Sequence, residues 1–502
     1  MRNPGAAFIQ KIGGSGLGYA VPEHANNVRY MLGGMTLFCI LTAVFSGLLL
    51  AQFYNPDPLY AHASIVFLTN SVFLGDFIRS VHYWSANLAM ILIIFHAVRV
   101  FVYGSYKRPR QVTWLTGIGL LAVMIGLFFS GTILKWDQEA FEALDHSDAA
   151  MRFLGPLGYF FSSGADISVS FLTRLYVAHV SIFVMLLFGL LLAHFYLIKK
   201  HGISPKVTVG ALSVSTRGQG GSNFLAHLKK LTGFGFLTVS LIATLALLSP
   251  APLGQPGVTG AEVTKPPWIF LPLFALENFF GITALLWVPA VVLALLVALP
   301  FIDRGDWIAP RQRKVIVTAG ALFIAAMLAL GYYAWKSPIK THIGSNNISG
   351  YAAWRQLKEV FLPTAYADGM QMVYSSPTNV MLGERVTIQA EGLEPGGYEL
   401  VLSGMNQTHY LGLVEVGEEE GFAQEYALPI SRPDVFRVEL KSPDGHRIYS
   451  KNPLVIQAKM YPGSGVASEE QFELDRHKSP SELLLIFSFI LLLTFAGALL
   501  VL

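Results

Sequence analysis

Four histidines lie inside long apolar stretches of the chain, where ionisable side chains are costly and mark functional sites. His82 and His96 begin and end the segment HYWSANLAMILIIFH, and His179 and His194 do the same in HVSIFVMLLFGLLLAH. The two spacings are 14 and 15 residues, so on α-helices the members of each pair face nearly the same side, roughly 21 Å apart along the axis. One buried histidine could bond a neighbouring helix, but two matched pairs indicate a common partner.

The partner that fits two such pairs is haem, because a neutral imidazole is an axial ligand of haem iron. Both helices are predicted to run in the same direction. His82 then pairs with His179 at the extracytoplasmic level (the outer pair), and His96 pairs with His194 at the cytoplasmic level (the inner pair). Two haems at these levels would form an electron path across the membrane.

Residues that flank the histidines support this interpretation. Arg79 and Arg99 each lie three residues beyond a histidine, where a guanidinium could pair with haem propionates. Snorkelling to the membrane interface is the alternative for both arginines. Glycines with similar spacing could make room for two macrocycles, although close helix packing explains them equally well. They are Gly33, Gly34, Gly47, Gly117 and Gly131.

Composition predicts a membrane protein. Of 502 residues, 53% are hydrophobic and 13% are charged, against roughly a quarter charged in soluble proteins. Stretches of about 20 apolar residues predict eight spanning helices: 31–53, 82–103, 113–134, 175–198, 229–249, 280–302, 315–335 and 482–502. Basic loops at 106–110, 199–206 and 304–314 put the N-terminus in the cytoplasm. The net charge of +3, without basic runs that contain aromatic residues, gives no reason to expect nucleic-acid binding.

Residues 336–480 have a different pattern. Segments such as ERVTIQAEGL, GYELVLSG, VFRVELKSPDG and NPLVIQAKM alternate apolar and polar residues between turn residues, which predicts an Ig-like β-sandwich. The helix count places this domain outside the cytoplasm. The predicted fold class is therefore an all-α transmembrane bundle of eight helices, with a four-helix haem-binding core and an inserted extracytoplasmic β-sandwich.

The sequence resembles the cytochrome b subunit of Rieske/cytochrome bc-type quinol oxidoreductases over about residues 20–335. The resemblance rests on VPEH, YMLGGMTLFC, FIRSVHYWSANL, HAVRVF, YKRPRQVTWLTG, KWDQ, LTRLYVAH and HFYLIKKHGIS. The 15-residue histidine spacing is similar to the chloroplast-type branch, in which the last three core helices form a separate subunit.

The predicted parts are 1–210, the four-helix di-haem domain; 211–335, the three-helix domain; 336–480, the β-sandwich; and 481–502, a C-terminal helix.

The resemblance implies two b-type haems, a quinol-oxidising site near the outer haem and a quinone-reducing site near the inner one. The outer site would include KWDQ, the segment with Asp166, and the loop with Trp268. The family usually has Pro-Glu-Trp-Tyr in that loop, and its glutamate accepts a quinol proton. This chain has Pro267 at the glutamate position, so another base is needed. Glu277 is the first candidate, although it could be a water-facing glutamate; Asp166 and Glu139 are weaker ones.

The resemblance also implies partners. The chain has one cysteine and therefore no iron–sulfur ligand set of its own, so a Rieske protein and c-type cytochrome subunits are expected, in a homodimer of complexes with quinone and membrane lipid, in a bacterial inner membrane. Met31 occupies the position where the chloroplast-type branch has a haem-linking cysteine. Cys39 is interpreted as a small apolar filler. We therefore expect two haems, while a non-covalent third stays open.

Two alternatives remain. The chain could be a di-haem conduit that connects extracytoplasmic cytochromes to the quinone pool without quinol chemistry at an outer site, and Pro267 favours this. It could also be a scaffold subunit with structural haems, which holds the β domain, predicted to lie in the periplasm. Quinol-driven haem reduction and redox titration distinguish these alternatives.

Overall fold

The computed structural model describes much of the chain between residues 20 and 501. The described residues are 20–58, 60–155, 158, 170–204, 221–254, 256, 264–305, 308–337, 372–376, 379–381, 385–404, 408–417, 421–428, 434–442, 447–449, 454–457 and 478–501.

Helices make up most of the described chain. They are α1 Val28–Leu50, α2 Ala61–Ser71, α3 Gly75–Val102, α4 Gln111–Ile133, α5 Gln138–Met151, α6 Phe171–His201, α7 Phe224–Leu248, α8 Leu271–Phe280, α9 Ala284–Ile302, α10 Lys314–Lys336 and α11 Pro480–Val501. Eight of the described helices are long and apolar enough to cross a membrane: α1, α3, α4, α6, α7, α9, α10 and α11. The predicted eight-helix membrane bundle is thus confirmed, and the chain is a multi-pass membrane protein.

The helix boundaries differ from the prediction mainly at α3, which begins at Gly75 rather than residue 82. Leu74 takes a left-handed φ of 57°, and a Cβ on Gly75 would collide with the carbonyl of Leu68. The turn between α2 and α3 is therefore tight, and α3 starts directly after it. As a result, Arg79 and His82 lie one turn apart on the same helix.

Three shorter helices were not predicted as elements. The helices α2, α5 and α8 contain 11, 14 and 10 residues, which is too short to span a bilayer. In α5 the sequence QEAFEALDHSDAAM is amphipathic rather than apolar, so a search for spanning segments does not detect it. These three helices lie in the connections between the spans.

The four-helix core has one apolar interior. Here α1 packs along α3 and α4 packs along α6, and the buried centre includes Cys39, Ala89, Met90, Met124 and Leu187. The burial of Cys39 agrees with its interpretation as a filler. Because α1 and α3 run in opposite directions, as do α4 and α6, residues at the start of one helix face residues near the end of its neighbour.

The C-terminal helix α11 packs against α7. A Cβ on Gly233 would lie 2.9 Å from the carbonyl oxygen of Gly497, so these helices approach each other at backbone contact distance. Ser240 and Thr494 share a hydrogen bond of 2.6 Å. At the start of α11 the Glu482 carboxylate accepts a hydrogen bond from the backbone N–H of Leu74 at 2.8 Å. The helix is therefore fixed to the bundle beside the α2–α3 turn.

The predicted β region between α10 and α11 consists of two sheets around one core. Its strands are β3 Met372–Ser376, β4 Asn379–Met381, β5 Arg385–Glu391, β6 Gly396–Gly404, β7 Thr408–Val416, β8 Gly421–Ala427, β9 Asp434–Lys441, β10 Arg447–Tyr449 and β11 Leu454–Gln457. One sheet has the order β4-β11-β9-β6-β7 with β10 on β9, and the other β3-β5-β8. The strands β1 Ala20–Pro22 and β2 Gly221–Asn223 pair elsewhere, before α1 and α7.

Alternating residues of both sheets point into the sandwich, as the period of a strand requires. Val386, Ile388 and Ala390 of β5 face Leu400 and Leu402 of β6 within one buried cluster. The four segments identified from the sequence correspond to β5, β6, β9 and β11. The predicted β region is confirmed.

The three basic loops meet at one end of the bundle. Arg110 donates hydrogen bonds to the backbone carbonyls of His201, Gly202 and Ile203 at 3.2–3.3 Å. Lys107 forms a buried ion pair of 2.7 Å with Asp303, which directly follows α9. The loops that were assigned to one membrane face from their charge are thus physically joined.

Asp303 is the centre of this junction, and we expect Asp303→Asn to destabilise the bundle strongly. Its carboxylate accepts hydrogen bonds from Tyr106 at 2.7 Å and from Arg313 at 2.8 Å. Burial alone would raise the pKa of Asp303, but hydrogen bonds from Lys107, Tyr106 and Arg313 outweigh it and lower the pKa below 3.8. Asparagine would remove the carboxylate that pairs with both Lys107 and Arg313, and breaking a buried ion pair by removing one partner costs roughly 3–5 kcal/mol.

The measurement is thermal unfolding in detergent, with R304Q as the control because Arg304 is an exposed neighbour on the same turn. The stabilisation from a lowered carboxyl pKa is complete above the unfolded pKa and is lost as the pH falls through the folded pKa. The difference between Asp303→Asn and the parent protein should therefore shrink only in strong acid. Equal melting temperatures at neutral pH would contradict the prediction.

Candidate functional site: a four-histidine centre

On α1 and α3, each histidine faces a glycine. A Cβ built on Gly47 would lie 3.0 Å from Cε1 of His82, and a Cβ on Gly33 would lie 3.3 Å from Cε1 of His96. These distances are shorter than ordinary van der Waals contacts, so a larger residue would displace the imidazoles. The two glycines are 14 residues apart, as are the two histidines, and the antiparallel packing of the helices brings them into register.

The same arrangement recurs on α4 and α6. A Cβ on Gly131 would lie 3.2 Å from Cε1 of His179, and a Cβ on Gly117 would lie 3.5 Å from Cε1 of His194. Two helix pairs therefore present two histidines each, and every histidine rests on a glycine of the neighbouring helix.

A π-helical turn at Ala178–Ile182 explains the unequal histidine spacings. The glycines of α4 are 14 residues apart, whereas the histidines of α6 are 15 apart. A π turn closes i→i+5 hydrogen bonds and so accommodates one residue more than an α turn. The extra residue is taken up beside His179, and both pairs regain the same register. The sequence gives no signal for this turn apart from the spacing itself.

At the outer level, the histidine of α3 and the histidine of α6 that were predicted to pair lie next to each other. The ring centroids of His82 and His179 are 6.4 Å apart. Two imidazoles on opposite sides of one metal ion would place their centroids about 6 Å apart, given metal–nitrogen bonds of roughly 2 Å. The spacing is thus compatible with a single iron atom between the two rings.

Hydrogen bonds orient three of the four imidazoles. Nδ1 of His82 lies 2.8 Å from the carbonyl oxygen of Ala43, which can only accept. Nδ1 of His179 lies 2.8 Å from the hydroxyl of Ser130, whose own proton is donated to a backbone carbonyl of its helix. Each Nδ1 therefore carries the hydrogen, and Nε2 keeps its lone pair for a metal.

The inner level repeats this pattern at His194. Its Nδ1 lies 2.9 Å from the hydroxyl of Thr116, which donates its own proton to the carbonyl of Thr113. Ser130 and Thr116 were not identified from the sequence, since hydroxyl residues in spanning helices usually bond their own backbone. The donor set, neutral imidazoles with free Nε2 atoms beside glycines, fits haem.

Gly34 does not belong to this arrangement, contrary to the prediction. A Cβ on Gly34 would collide with Leu231 of α7. Its missing side chain therefore allows α1 and α7 to pack closely. One residue of offset rotates a position by about 100° around a helix, which explains why adjacent glycines have different neighbours.

Arg79 and Arg99, which were predicted to pair with haem propionates, both contact protein groups. Arg79 donates hydrogen bonds to the carbonyls of Ala251 at 2.9 Å and Pro252 at 2.5 Å. Arg99 donates to the hydroxyl of Ser204 at 3.1 Å, and its guanidinium lies 3.9 Å from the centroid of the Tyr30 ring. Both arginines are thus held by protein groups, and their pairing with propionates stays a prediction.

Two described residues between α7 and α8, Ser249 and Trp268, bond to α3 next to the outer pair. Trp84 donates a hydrogen bond to the carbonyl of Ser249 at 2.7 Å, and Trp268 donates to the amide oxygen of Asn87 at 2.7 Å. Phe270 contacts the rings of Phe128 and Phe129 on α4 edge-on. The loop that carries Trp268 therefore inserts between α3 and α4, close to the outer pair. Asn87 was not identified from the sequence.

The carboxylates of α5 and of the KWDQ segment are held by protein groups. Asp137 accepts a hydrogen bond from the N–H of Gly254 at 2.9 Å and pairs with Lys135 at 3.2 Å. Burial raises the pKa of Glu139, although Lys135 beside it acts in the opposite direction. Glu142, which was not predicted, accepts a hydrogen bond from the hydroxyl of Thr264 at 2.8 Å. These carboxylates position loops.

Glu277 is 2% exposed, so it is not the water-facing glutamate that the alternative interpretation expected. Its carboxylate lies 3.5 Å from Nε2 of His146 on α5. His146 was not predicted because α5 itself was not. Asp166, the remaining candidate, lies outside the described residues, as does most of the segment around it.

Comparison with known proteins adds independent information. Residues 17–202 match the family model described as Cytochrome b/b6/petB. Cytochrome b6 of Heliobacterium mobile is 38% identical over 190 residues, which cover 37% of this chain and 89% of that protein. The chain belongs to the cytochrome b/b6 family. Membership in this family implies b-type haem, which agrees with the donor set described above.

A second relative and a solved structure are also cytochrome b or respiratory-complex proteins by their descriptions. The menaquinol:cytochrome c reductase cytochrome b subunit of Bacillus subtilis is 36% identical over 197 residues, covering 37% of this chain and 88% of that protein. A solved structure described as a hyperthermophilic respiratory Complex III has a TM-score of 0.58 at 20% identity, covering 66% of this chain and 90% of that chain. The cytochrome b fold therefore extends beyond the region matched by the family model.

Proposed function

We propose that this chain is the cytochrome b subunit of a membrane quinol:cytochrome c-type oxidoreductase, active only within its complex and coupled to proton translocation. Two b-type haems held by the four histidines would carry electrons between quinone sites on opposite faces. The observation that supports this most is the fourfold histidine–glycine arrangement at two levels. Similarity to a menaquinol:cytochrome c reductase subunit supports the reaction class.

In this proposal His82 and His179 hold the outer haem, and His96 and His194 hold the inner one. A bound b-type haem supplies a one-electron carrier. The protein fixes the tautomers of His82, His179 and His194 through Nδ1 hydrogen bonds. It has no side chain at Gly33, Gly47, Gly117 and Gly131, where each histidine lies, and its apolar core excludes water. Arg79 and Arg99 provide positive charge for the propionates at the two ends.

Quinol oxidation is proposed next to the outer pair, where the Trp268 loop inserts between α3 and α4. Trp268 is held by Asn87 at 2.7 Å and would form one wall of the site. Glu277, buried at the end of the same segment, is the leading proton acceptor in place of the usual glutamate at position 267. Asp166 remains a candidate from the sequence alone.

The partners proposed are a Rieske iron–sulfur protein and c-type cytochrome subunits, in a dimer of complexes surrounded by lipid. The junction supports placing the three basic loops on one membrane face, which in this proposal is the cytoplasmic face of a bacterial inner membrane, with the N-terminus on the same side. The β-sandwich then lies in the periplasm, where it offers a docking surface. The proposed domains remain residues 1–210, 211–335, 336–480 and 481–502.

A di-haem conduit without outer-site quinol chemistry is the second candidate, and Pro267 favours it. The deciding experiment mixes the purified oxidised complex with quinol and follows the haem α-band with and without an outer-site inhibitor. We expect haem reduction that the inhibitor slows. Reduction that is indifferent to the inhibitor would support the conduit, and the absence of quinol-driven reduction would support a scaffold.

A further inference from the structure

A buried histidine–carboxylate contact joins α5 to α8 on the side of the bundle where the Trp268 loop lies. Nε2 of His146 and Oε1 of Glu277 are 3.5 Å apart, with 14% and 2% of the side chains exposed. This distance exceeds the 2.7–2.9 Å of a charge-assisted hydrogen bond. The two groups face each other closely enough for a proton to be exchanged after a small movement.

The hydrogen bond at Nδ1 of His146 leaves the other ring nitrogen facing Glu277, so the two groups can bind a proton between them. Its Nδ1 lies 2.7 Å from the backbone carbonyl of Glu142, which can only accept, so Nδ1 carries a hydrogen. The remaining nitrogen, Nε2, faces an oxygen of Glu277 and presents a lone pair to it when the imidazole is neutral. Two acceptors in a poorly hydrated place repel each other, whereas one added proton between them produces an attractive contact.

The position of the pair links it to the proposed quinol site. On α5, Glu142 accepts hydrogen bonds from the N–H and the hydroxyl of Thr264, and one turn later His146 meets Glu277. Thus α5 holds both ends of the segment 264–277. Trp268 lies within this segment and is bonded to Asn87 on α3. Glu277 and the loop that contains Pro267 therefore belong to one segment whose two ends contact α5.

Three other carboxylates near Glu277, those of Asp137, Glu139 and Glu142, form structural contacts instead. Asp137 and Glu142 accept hydrogen bonds from backbone N–H groups of the chain segments they hold, and Glu139 pairs with Lys135. Protonating any of them would weaken a structural contact. Glu277 differs because its neighbour is a second group that can carry the proton onward.

We propose that Glu277 and His146 act together as the proton acceptor and relay for quinol oxidation, replacing the glutamate that is absent at Pro267. This inference rests on the proposed function.

Oxidation of one quinol to quinone releases two electrons and two protons. One electron goes to the oxidised outer haem and one to the oxidised iron–sulfur centre of the partner. One quinol O–H bond breaks as its proton joins the Glu277 carboxylate and then passes to Nε2 of His146; the other proton leaves with the partner.

The test uses the purified complex with E277Q, H146Q or both substitutions in this chain, and D148N as a control carboxylate on the same helix. Quinol-driven haem reduction is measured in the first turnover with the inner site inhibited, and dithionite reduction gives the total haem. Loss of a positioned base typically costs on the order of 100-fold, so E277Q and H146Q should each slow quinol-driven reduction by about that factor while D148N does not. The double variant should be no slower than the slower single variant, because the pair acts as one unit.

Unchanged rates in E277Q or in H146Q, with full haem content, would overturn the inference. If E277Q does not assemble, H146Q alone decides the outcome in the same way. Failure of the proposed function looks different, since the unsubstituted complex would then show no inhibitor-sensitive quinol-driven reduction. Slow single variants whose effects multiply in the double variant would also contradict a shared proton path.

Discussion

Replacing His179 with leucine is expected to remove the outer haem and to leave the inner one in place. Leucine has a similar volume but no nitrogen, so the iron would lose one of its two axial bonds, and Ser130 would lose the group it now orients at 2.8 Å. The inner level lies roughly 20 Å away along the helix, and its ligands are unaffected. Haem b per chain should therefore fall to half, and quinol-driven electron transfer should stop.

The matched variant H194L should give the opposite outcome, with the outer haem kept and the inner one lost. The two variants should differ in which midpoint potential disappears from a redox titration. H409L, in strand β7 of the β-sandwich, controls for the loss of a histidine as such. If H179L keeps both haems, or if both variants lose the same one, the assignment of pairs is wrong.

Replacing Gly131 with valine is expected to exclude the outer haem without removing any ligand. A Cβ at this position would lie only 3.2 Å from Cε1 of His179, and the two additional methyl groups of valine would extend further towards the ring. The imidazole would be pushed from the orientation that its hydrogen bond to Ser130 sets. G117V should act more weakly on the inner haem through His194, because a Cβ there lies at an ordinary contact distance of 3.5 Å and only the added methyl groups would press on the ring.

Gly189 provides the control, because a Cβ built there meets nothing within 4 Å although it lies on the same helix as both histidines. G189V should keep two haems per chain. Haem content and the α-band of membranes that contain equal amounts of chain give the readout. General destabilisation of the bundle, with both haems lost together in G131V and G117V, would instead favour close helix packing as the reason for these glycines.

The shared faces of the histidines, and the facing positions of four of the five glycines, could be predicted because helical periodicity fixes which residues share a face. Gly34 could not be assigned, since its neighbour Leu231 comes from a helix almost 200 residues away. The π turn beside His179 leaves only a one-residue excess in the spacing, which alone does not locate it. Periodicity thus predicts faces but not which helix covers them.

The side of the bundle where quinol oxidation is proposed was less predictable, because its parts are short and far apart in sequence. The helix α5 has no apolar stretch of spanning length, so His146 and Glu142 were not recognised as site residues. Asn87 is a polar residue in an apolar span, but its partner Trp268 lies 181 residues away. Contacts of this kind depend on how connections between spans fold over one end of the bundle, which local patterns do not specify.

The central claim is that four imidazoles hold two haems at two levels of one four-helix core. The most direct measurement is the haem b content of the purified chain together with a potentiometric titration of its α-band. Two haems per chain with two separate midpoint potentials, the inner one higher, are the predicted result. A single haem per chain, or none, would contradict the account.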